Sequence, residues 1–537
     1  MKRAVAVIAF ILVAFTMFAM NGQEIIPLTS GVYDAMDALF IMEGKAMPST
    51  TRPWSVAEAQ KYLSMVSEST SPELYAFVMK EIGKKATYSF DDVVDIRLGV
   101  SSAVNAYYHT DTSFDYPFDE TENYFFRMFG DNDSTTLNAK AGIYGKDSFY
   151  LFFSLQVRNA DWVGDVPFHA YNFNSDLAYF SPEGFTYDLD FLVPDRAFIS
   201  AGGSFWNIEL GKDRFSIGAG ETGNLILSDS FPFQNLLRFN MFGSRFKFSY
   251  ALVSFWHPDL MKTSPDNVKG SFLYMTSRVE GYFFSGKLSL SLNNTTVLKN
   301  DDGSGFDFRY FNPMDFYHNY FIQPKQNYSA AMEAVFAFAK GWNVYAQYLL
   351  DDASSPGEAV GGDSSPDEMG WMFGIRHSSV VGKGVLGLNL EAVYTLPFLY
   401  LRSTSADNQP DDDPGLGFVG IVRSAGGGLD YKRYFIGYPY GGDAAVLDLR
   451  ASYTVPGDFT VKAELFWMIH GEKRIDSKYY HGEKSWALSG EKKTFGYLQL
   501  YGRKELNAHI GVYGQYNLGY ADGVTDHQFV LGAAIAY

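Results

Sequence analysis

The stretch Asp458–His470, DFTVKAELFWMIH, alternates between apolar and polar side chains along most of its length. The apolar set is Phe459, Val461, Ala463, Leu465, Trp467 and Ile469, and the polar set is Thr460, Lys462, Glu464 and His470. A period of two places these sets on opposite faces of a β-strand. Because a tilted strand of about 9 to 11 residues crosses a bilayer, the stretch predicts a membrane-spanning strand with one lipid-facing side.

The same alternation recurs over the region from residue 87 to residue 537. It is clear in Ser148–Arg158, Lys287–Asn293, 385–396 and 508–520. Alternation alone also fits a β-sandwich, which buries one face of each sheet. Many of these runs begin or end in Tyr, Trp or Phe, as the interfacial girdles of membrane barrels do. The sequence therefore predicts an all-β transmembrane fold, an antiparallel outer-membrane β-barrel.

The C-terminus HQFVLGAAIAY supports this prediction. Its apolar residues stay in phase to the last position: Phe529, Leu531, Ile535 and Tyr537. A final strand that closes on an aromatic residue resembles the assembly signal of bacterial outer-membrane proteins. We therefore expect outer-membrane lipid around the barrel, and the barrel-assembly machinery as a partner of the strand ending in Tyr537.

Composition agrees with a membrane barrel. Aromatic residues make up 17% of the 537 residues and charged residues only 19%, whereas a soluble protein usually carries about 25% charged residues. The chain has no cysteine, which excludes disulfides, Cys-bound metals and a lipoprotein anchor. Its net charge of −18 repels phosphate backbones and argues against nucleic acid as a partner.

The number of candidate runs predicts about 18 strands over residues 87–537. An even strand number leaves both ends of a barrel on the periplasmic side. Three longer polar stretches, residues 300–326, 351–368 and 403–416, are expected to form outward loops.

The N-terminus predicts two further units. Lys2 and Arg3 precede an apolar run, so residues 1–22 are expected to form a cleaved signal peptide rather than an anchoring helix, with export to the bacterial outer membrane. Residues 23–86 are expected to form a periplasmic helical unit. Ser55-Val-Ala-Glu58 has the spacing of a capping box, and Ser71-Pro72 is a helix start.

The stretch RFSIGAGETGNLILSDSFPF, residues 214–233, contains the spacing G-x-G-x-x-G at Gly218, Gly220 and Gly223. A dinucleotide site needs a helix after these glycines and an acidic residue about 20 positions further on. An alternating run follows instead, and no Asp or Glu occurs between Ser230 and Pro258. We therefore interpret the glycines as a bend between membrane strands, where they permit positive φ and close backbone approach.

This segment resembles the signature of the Wzi-type capsule-assembly family of outer-membrane proteins. The matching residues are Gly211, Arg214, Gly218, Gly220, Gly223, Leu225, Leu227, Ser228 and Pro232. RYFNPMDFYH, residues 309–318, resembles the family's N-P-x-x-F-Y segment, and TRPWSVAEA, residues 51–59, resembles its N-terminal helices. Phe215 and Ser216 depart from the pattern, because Trp-rich residues are expected there.

The resemblance implies an eighteen-stranded barrel with helices at the periplasmic end and a lumen largely filled by protein. It also implies a non-catalytic, lectin-like role with surface polysaccharide or lipopolysaccharide as the partner. Possible lumen or ligand contacts are Arg214, Gly218, Gly220, Gly223, Asn224, Ser228, Pro232, Asn312, Pro313 and Tyr317. A porin-like channel for small solutes is the alternative function.

Other candidate chemistry is weaker. The nine histidines stand outside metal-protease motifs, and His470 and His509 could approach each other without a marked nucleophile. No catalytic residue or cofactor is therefore expected. The acidic stretches 130–134, 300–305 and 407–415 could bind Ca²⁺ or could be solvated loops. Two aromatic clusters could stack on sugars or belong to a girdle: Tyr310, Phe311, Phe316, Tyr317 and Tyr320, and Tyr431, Tyr434, Tyr438 and Tyr440.

Overall fold

The computed structural model describes most of the chain after the predicted signal peptide. The described residues are 22–84, 87–90, 94–110, 137–145, 148–159, 180–181, 184–185, 189–192, 194, 196–229, 234–255, 271–300, 326–352, 366–401, 417–423, 431–477 and 486–537. Residues 1–21 lie outside this set, so the signal peptide stays a prediction.

Eighteen antiparallel strands form one closed barrel, which confirms the predicted fold class and strand number. The strands are β1 (Val94–His109), β2 (Leu137–Gly145), β3 (Phe149–Asn159), β4 (Leu189–Leu192 with Ala197–Gly202), β5 (Trp206–Asp213), β6 (Gln234–Phe242), β7 (Phe246–Phe255), β8 (Ser271–Phe283), β9 (Leu288–Asn300), β10 (Gln326–Ala339), β11 (Trp342–Asp352), β12 (Glu368–Val381), β13 (Gly384–Thr395), β14 (Ala444–Val455), β15 (Phe459–His470), β16 (Lys493–Glu505), β17 (Ile510–Ala521) and β18 (Val524–Ala536). Strand β18 pairs with β1 and closes the ring.

The alternation of side chains produces two different surfaces. In β15, Leu465 is 50% exposed on the outside, whereas its neighbour Glu464 is 1% exposed and faces the lumen. Outward leucine, valine and phenylalanine side chains recur on the other strands at similar exposure. A barrel with an apolar outer belt and a polar interior can close its hydrogen-bond ladder within lipid, because no strand edge remains.

The two ends of the barrel differ in their connections. At one end, called the short-turn end, strands are joined by short turns such as residues 340–341 and 382–383. At the opposite end, called the long-connection end, the connections include residues 214–233, 396–443 and 471–492. The predicted loops 300–326, 351–368 and 403–416 join strands there, although 301–325, 353–365 and 402–416 lie outside the described residues. In outer-membrane barrels the short turns are periplasmic.

Residues 22–84, the described part of the N-terminus, contain three α-helices. These are α1 (Val32–Glu43), α2 (Val56–Leu63) and α3 (Pro72–Ile82). Ser55 caps α2 by accepting a hydrogen bond from the Glu58 amide at 3.2 Å. In a capping box the Glu58 carboxylate would accept from the Ser55 amide, but here it accepts from Tyr62 Oη and Lys247 Nζ instead. None of the described helices is long and apolar enough to span a membrane.

The helical unit rests against the short-turn end. The amide of Gly341 donates to the carbonyl of Ile41 at 2.8 Å, and the amide of Ala46 donates to the carbonyl of Gly286 at 2.8 Å. Its own core surrounds the buried Trp54, whose ring centroid lies 5.0 Å from Tyr33. The helices therefore pack against the barrel turns, and the residues between α1 and α2 extend into the lumen.

Candidate functional site

The segment that carries the family motif, residues 214–229, lies inside the barrel. We call it the lumenal segment. It leaves β5 at the long-connection end and crosses to the wall formed by β10 to β13. The Ala219 amide donates to Glu333 Oε2 at 2.7 Å and the Leu225 amide to Gln347 Oε1 at 3.0 Å. The segment joins two membrane strands, in keeping with the sequence interpretation, and its bend occupies the lumen.

The glycines of the lumenal segment are required by its conformation. Gly218 and Gly223 both have φ of +134°, a region that residues with a Cβ rarely adopt. A Cβ on Gly220 would overlap the Gly223 carbonyl, and one on Gly223 would overlap the ring of Pro439. The glycines thus permit close backbone approach, as predicted.

Asn224 and Ser228 fix the turn that these glycines allow. Asn224 Oδ1 accepts hydrogen bonds from the Gly220 amide and from Gln347 Nε2, each at 2.8 Å. Ser228 Oγ accepts from the Asn224 amide at 3.2 Å. Five motif residues therefore stabilise one internal turn. The spacing of these Gly, Asn and Ser residues in the chain follows from that turn, because the Asn and Ser side chains accept backbone hydrogen bonds and the glycines leave room for close approach.

A second internal segment enters from the short-turn end. Residues Thr51–Arg52 pair antiparallel with Ser216–Ile217 of the lumenal segment. Phe215 and Ser216, where the chain departs from the family pattern, are buried at this junction. The TRPWSVAEA stretch therefore contains both the start of α2 and a short strand that lies inside the lumen.

Buried ion pairs hold this N-terminal segment to the barrel wall. Lys247 Nζ of β7 donates to Glu58 Oε1 at 2.6 Å. Burial raises the pKa of the Glu58 carboxyl, and Lys247 partly offsets that effect. Arg278 Nη2 donates to Thr50 Oγ1 and to Glu333 Oε1, each at 2.7 Å. Removing one member of such a pair would leave a buried charge without its partner, which costs about 3–5 kcal/mol.

A third segment connects β13 to β14, and its described residues 396–401, 417–423 and 431–443 cover the lumenal segment. Tyr400 Oη donates to the Leu225 carbonyl at 2.6 Å, and Tyr438 Oη lies 2.9 Å from Thr222 Oγ1. Tyr434, Tyr438 and Tyr440 are buried there. Their expected roles as a sugar platform or a girdle are therefore wrong, since both roles require exposed rings; the cluster around Tyr310 lies outside the described residues.

The tip of the lumenal segment joins a charged cluster on the inner wall. Glu221 accepts from Arg376 Nη2 at 2.7 Å and from Arg450 Nη1 at 3.1 Å. Arg450 also donates to Glu464 at 3.0 Å. Glu391 accepts from the Thr222 amide at 2.9 Å. Alternation in Asp458–His470 places Glu464 on the polar face of its strand, but it gives no indication of Glu221, because strand periodicity does not describe a connection.

A cavity of about 1550 Å³ lies beside these segments. Its walls are the helical unit on one side and strands β1–β3, β12–β16 and β18 on the other. Turn residues such as Asp458 and His509 line its outer end, and Arg214, Glu221 and Arg450 line its inner end. The cavity therefore extends from the short-turn end inward to the lumenal segment, and within the described residues strands β6–β11 contribute no side chain to it.

The predicted site residues separate into two groups. Arg214, Gly218, Gly220, Gly223, Asn224 and Ser228 come together in the lumenal segment, where Arg214 Nη1 donates to the Asp229 carbonyl at 3.2 Å. Pro232, Asn312, Pro313 and Tyr317 lie outside the described residues. Ligand contact by either group stays a prediction.

The predictions on metal and histidine chemistry have mixed outcomes. The acidic stretches proposed for Ca²⁺ lie outside the described residues except for Asn300. Within the described ranges, no group of three or more His, Asp or Glu could hold a metal ion. His470 ends β15 at the long-connection end and His509 lies in a turn at the short-turn end, so their predicted approach is wrong.

No family profile and no curated protein matches this sequence. Among solved structures, the chain is similar to Wzi, an Escherichia coli outer-membrane protein involved in group 1 capsule assembly and a carbohydrate-binding β-barrel. The two structures align with a TM-score of 0.62 at 12% sequence identity, over 96% of this chain and 99% of that chain. Two Acinetobacter baumannii proteins match less well. The outer-membrane channel DcaP has a TM-score of 0.36 at 11% identity over 84% of this chain and 100% of that chain, and OccAB4 has 0.38 at 10% over 83% and 98%. The predicted resemblance to Wzi is thus confirmed at the level of the fold, that of an eighteen-stranded outer-membrane β-barrel.

Proposed function

We propose that this chain is a non-catalytic outer-membrane barrel that binds or organises surface polysaccharide. Export through a cleaved signal peptide would place the helical unit in the periplasm and the long connections outside the cell. The observation that carries the proposal is the filled half of the lumen within a Wzi-like barrel. Three internal segments are joined there by buried ion pairs and backbone hydrogen bonds.

The filled lumen supports a binding role because its contacts with the barrel wall are extensive. The lumenal segment contacts β10, β11 and β13 through Glu333, Gln347 and Glu391. A rigid interior can hold the long connections in fixed positions, and fixed loops bind an extended ligand at lower conformational-entropy cost.

The test is retention of polysaccharide on cells. We expect deletion of the gene to release surface polysaccharide into the medium, and the intact gene to restore retention. Purified folded protein should also bind that polysaccharide when it is immobilised, and heat-unfolded protein should not. Unchanged retention after deletion, together with no binding by folded protein, would contradict the proposal.

A porin-like channel is the second candidate, and the cavity of about 1550 Å³ favours it. The cavity opens among the short turns and reaches Arg214 and Arg450 at mid-lumen. Planar-bilayer recordings separate the two functions. A large steady conductance of the unmodified protein supports diffusion of small solutes, and a silent bilayer supports a barrel that binds without conducting.

A further inference from the structure

The outer wall of the barrel carries a row of three aromatic rings near the long-connection end. Tyr348 of β11, Trp371 of β12 and Tyr394 of β13 are register partners on adjacent strands. The ring centroids of Tyr348 and Trp371 lie 5.9 Å apart, and those of Trp371 and Tyr394 lie 6.4 Å apart. We call this set the aromatic row. Its rings point outward, because the neighbouring residues on each strand are buried: Leu349, Met372 and Val393.

A fourth ring is brought to the aromatic row from a distant part of the chain. Trp486 belongs to the connection between β15 and β16, and its centroid lies 5.8 Å from that of Trp371. Tyr394 Oη donates to the Trp486 carbonyl at 2.7 Å. The indole Nε1 of Trp486 donates to Asp367 Oδ2 at 3.0 Å. The position of Trp486 is therefore set by directed hydrogen bonds as well as by ring contact.

The residues after Trp486 are also held in place. The Ser489 amide donates to Asp443 Oδ1 at 2.8 Å, and the Glu491 amide donates to Glu472 Oε1 at 2.7 Å. Even so, Trp486 remains 59% exposed. A ring that is fixed by hydrogen bonds and left exposed on the outer wall near the long-connection end is accessible at the level of the lipid headgroups.

Trp467 provides an internal comparison. It is another outward tryptophan of the outer wall, 42% exposed, and it stacks on Tyr520 at a centroid distance of 5.4 Å. The stack crosses β16 at Gly496, where a Cβ would overlap the Trp467 ring. Within the described residues its indole makes no hydrogen bond and no connecting segment covers it. Trp467 thus has the features of a girdle residue alone.

We propose that the aromatic row, together with Trp486 and Asp367, binds the sugar headgroup of an outer-leaflet glycolipid. Aromatic faces stack on the C–H faces of pyranose rings, and the Asp367 carboxylate can accept hydrogen bonds from sugar hydroxyls. The row faces outward from the wall, so a membrane headgroup reaches it and a ligand in the lumen does not. This inference rests on the proposed outer-membrane location with the long connections outside.

The experiment uses the full chain in phospholipid nanodiscs with purified rough lipopolysaccharide as the probe. Two competitors each represent one part of the probe. The released core oligosaccharide represents its sugars, and lipid A without the core sugars represents its membrane anchor. We expect binding that the core oligosaccharide competes away and lipid A does not. The double variant Trp371→Leu/Trp486→Ser should weaken binding by about tenfold or more, equivalent to about 1.4 kcal/mol.

Trp467→Leu is the matched control, and Trp486→Tyr is the conservative variant. Both should stay within about threefold of the parent, because the first removes only a girdle ring and the second keeps an aromatic face. Heat-modifiable migration on a denaturing gel checks that each variant forms the barrel. Equal loss in Trp467→Leu would show a general interfacial effect and overturn the proposal, as would equal competition by lipid A or parental binding in the double variant.

Binding of immobilised surface polysaccharide, measured on the same samples, separates this proposal from the proposed function. A parent protein that binds polysaccharide but no lipopolysaccharide overturns the glycolipid site alone. A parent that binds lipopolysaccharide through the aromatic row but leaves cellular polysaccharide retention unchanged supports the site and contradicts the wider function.

Discussion

Substitution of Gly223 by alanine should displace the lumenal segment without opening the barrel. Gly223 has φ of +134°, and an added Cβ would overlap the Pro439 ring and approach Ser228 Oγ. Backbone strain of this kind costs about 1–3 kcal/mol, and overpacking a tight site costs a further 1–3 kcal/mol. The combined penalty of about 2–6 kcal/mol is comparable with two or three of the hydrogen bonds that hold the segment.

The barrel should survive this penalty because none of its strand pairs includes Gly223. The contacts at risk are those of the segment tip, where the Thr222 amide donates to Glu391 and the Leu225 amide donates to Gln347. We therefore expect a local opening whose equilibrium constant increases by at least about thirtyfold, the factor that corresponds to about 2 kcal/mol.

Thiol labelling can measure this opening directly, because the natural chain contains no cysteine. Ala219→Cys places one thiol at a buried position of the lumenal segment. Its labelling rate by a maleimide, in folded protein in detergent, is compared with and without Gly223→Ala. Gly457→Ala is the control, since Gly457 also has positive φ, +72°, but a Cβ there has nothing within 4 Å.

We expect Gly223→Ala to accelerate labelling by about thirtyfold or more, and Gly457→Ala to leave the rate nearly unchanged. If Gly223→Ala folds and labels at the parental rate, the segment is not held by the contacts described here. If both substitutions accelerate labelling equally, the overlap with Pro439 is not the cause.

Three further predictions concern the helical unit and the barrel closure. Lys247→Met should leave the Glu58 carboxylate buried without its ion-pair partner at 2.6 Å, and should destabilise the helical unit by about 3–5 kcal/mol. Limited proteolysis of residues 22–84 should then be faster. Lys504→Met is the control, because it removes an exposed ion pair and should change the proteolysis rate little. Burial raises the pKa of the Glu43 carboxyl, but hydrogen bonds from Lys45, Ser67 and Thr70 outweigh burial and lower it. The stabilisation of the fold by Glu43 should therefore be complete above the ordinary Glu pKa and be lost as the pH falls through the lowered pKa. Glu43→Gln should flatten the pH dependence of limited proteolysis between about pH 3 and pH 6, and an unchanged profile would contradict this prediction. Deletion of Tyr537 should slow or reduce folding in cells, because this residue exchanges two backbone hydrogen bonds with Val100 at the seam between β18 and β1; an unchanged heat-modifiable fraction would contradict the prediction.

The strands could be predicted because lipid and lumen impose opposite demands on neighbouring residues. The alternation in Asp458–His470 identified β15 to within one residue, and the run 385–396 identified β13 equally closely. Helix starts were also readable, since Ser55 and Ser71 cap α2 and α3 through local hydrogen bonds. Such features depend on residues a few positions apart, and a single sequence records them directly.

Contacts across the lumen could not be predicted in the same way. Glu58 looked like half of a capping box, but its carboxylate is used by Lys247, 189 residues away. Tyr434, Tyr438 and Tyr440 looked like exposed rings, because nothing local indicates that these residues fold inward. The glycines of residues 218–223 revealed an unusual backbone, but the direction of the connection depends on distant partners such as Glu333 and Gln347.

The uneven filling of the lumen links the two candidate functions. Along β6–β13, the internal segments are fixed by the buried Lys247–Glu58 ion pair, whose single-partner loss is costly, and by hydrogen bonds from Arg278 to Thr50 and from the Ala219 amide to Glu333, so this half is a rigid support. Along β14–β16 and β18–β3, the described residues leave a cavity whose inner end is bounded by Glu221, held between Arg376 and Arg450. Glu221 therefore stands at the boundary between the fixed half and the open half. If the barrel conducts, Glu221→Gln should change its ion selectivity; if it only binds, the same substitution should alter the lumenal segment and leave bilayers silent.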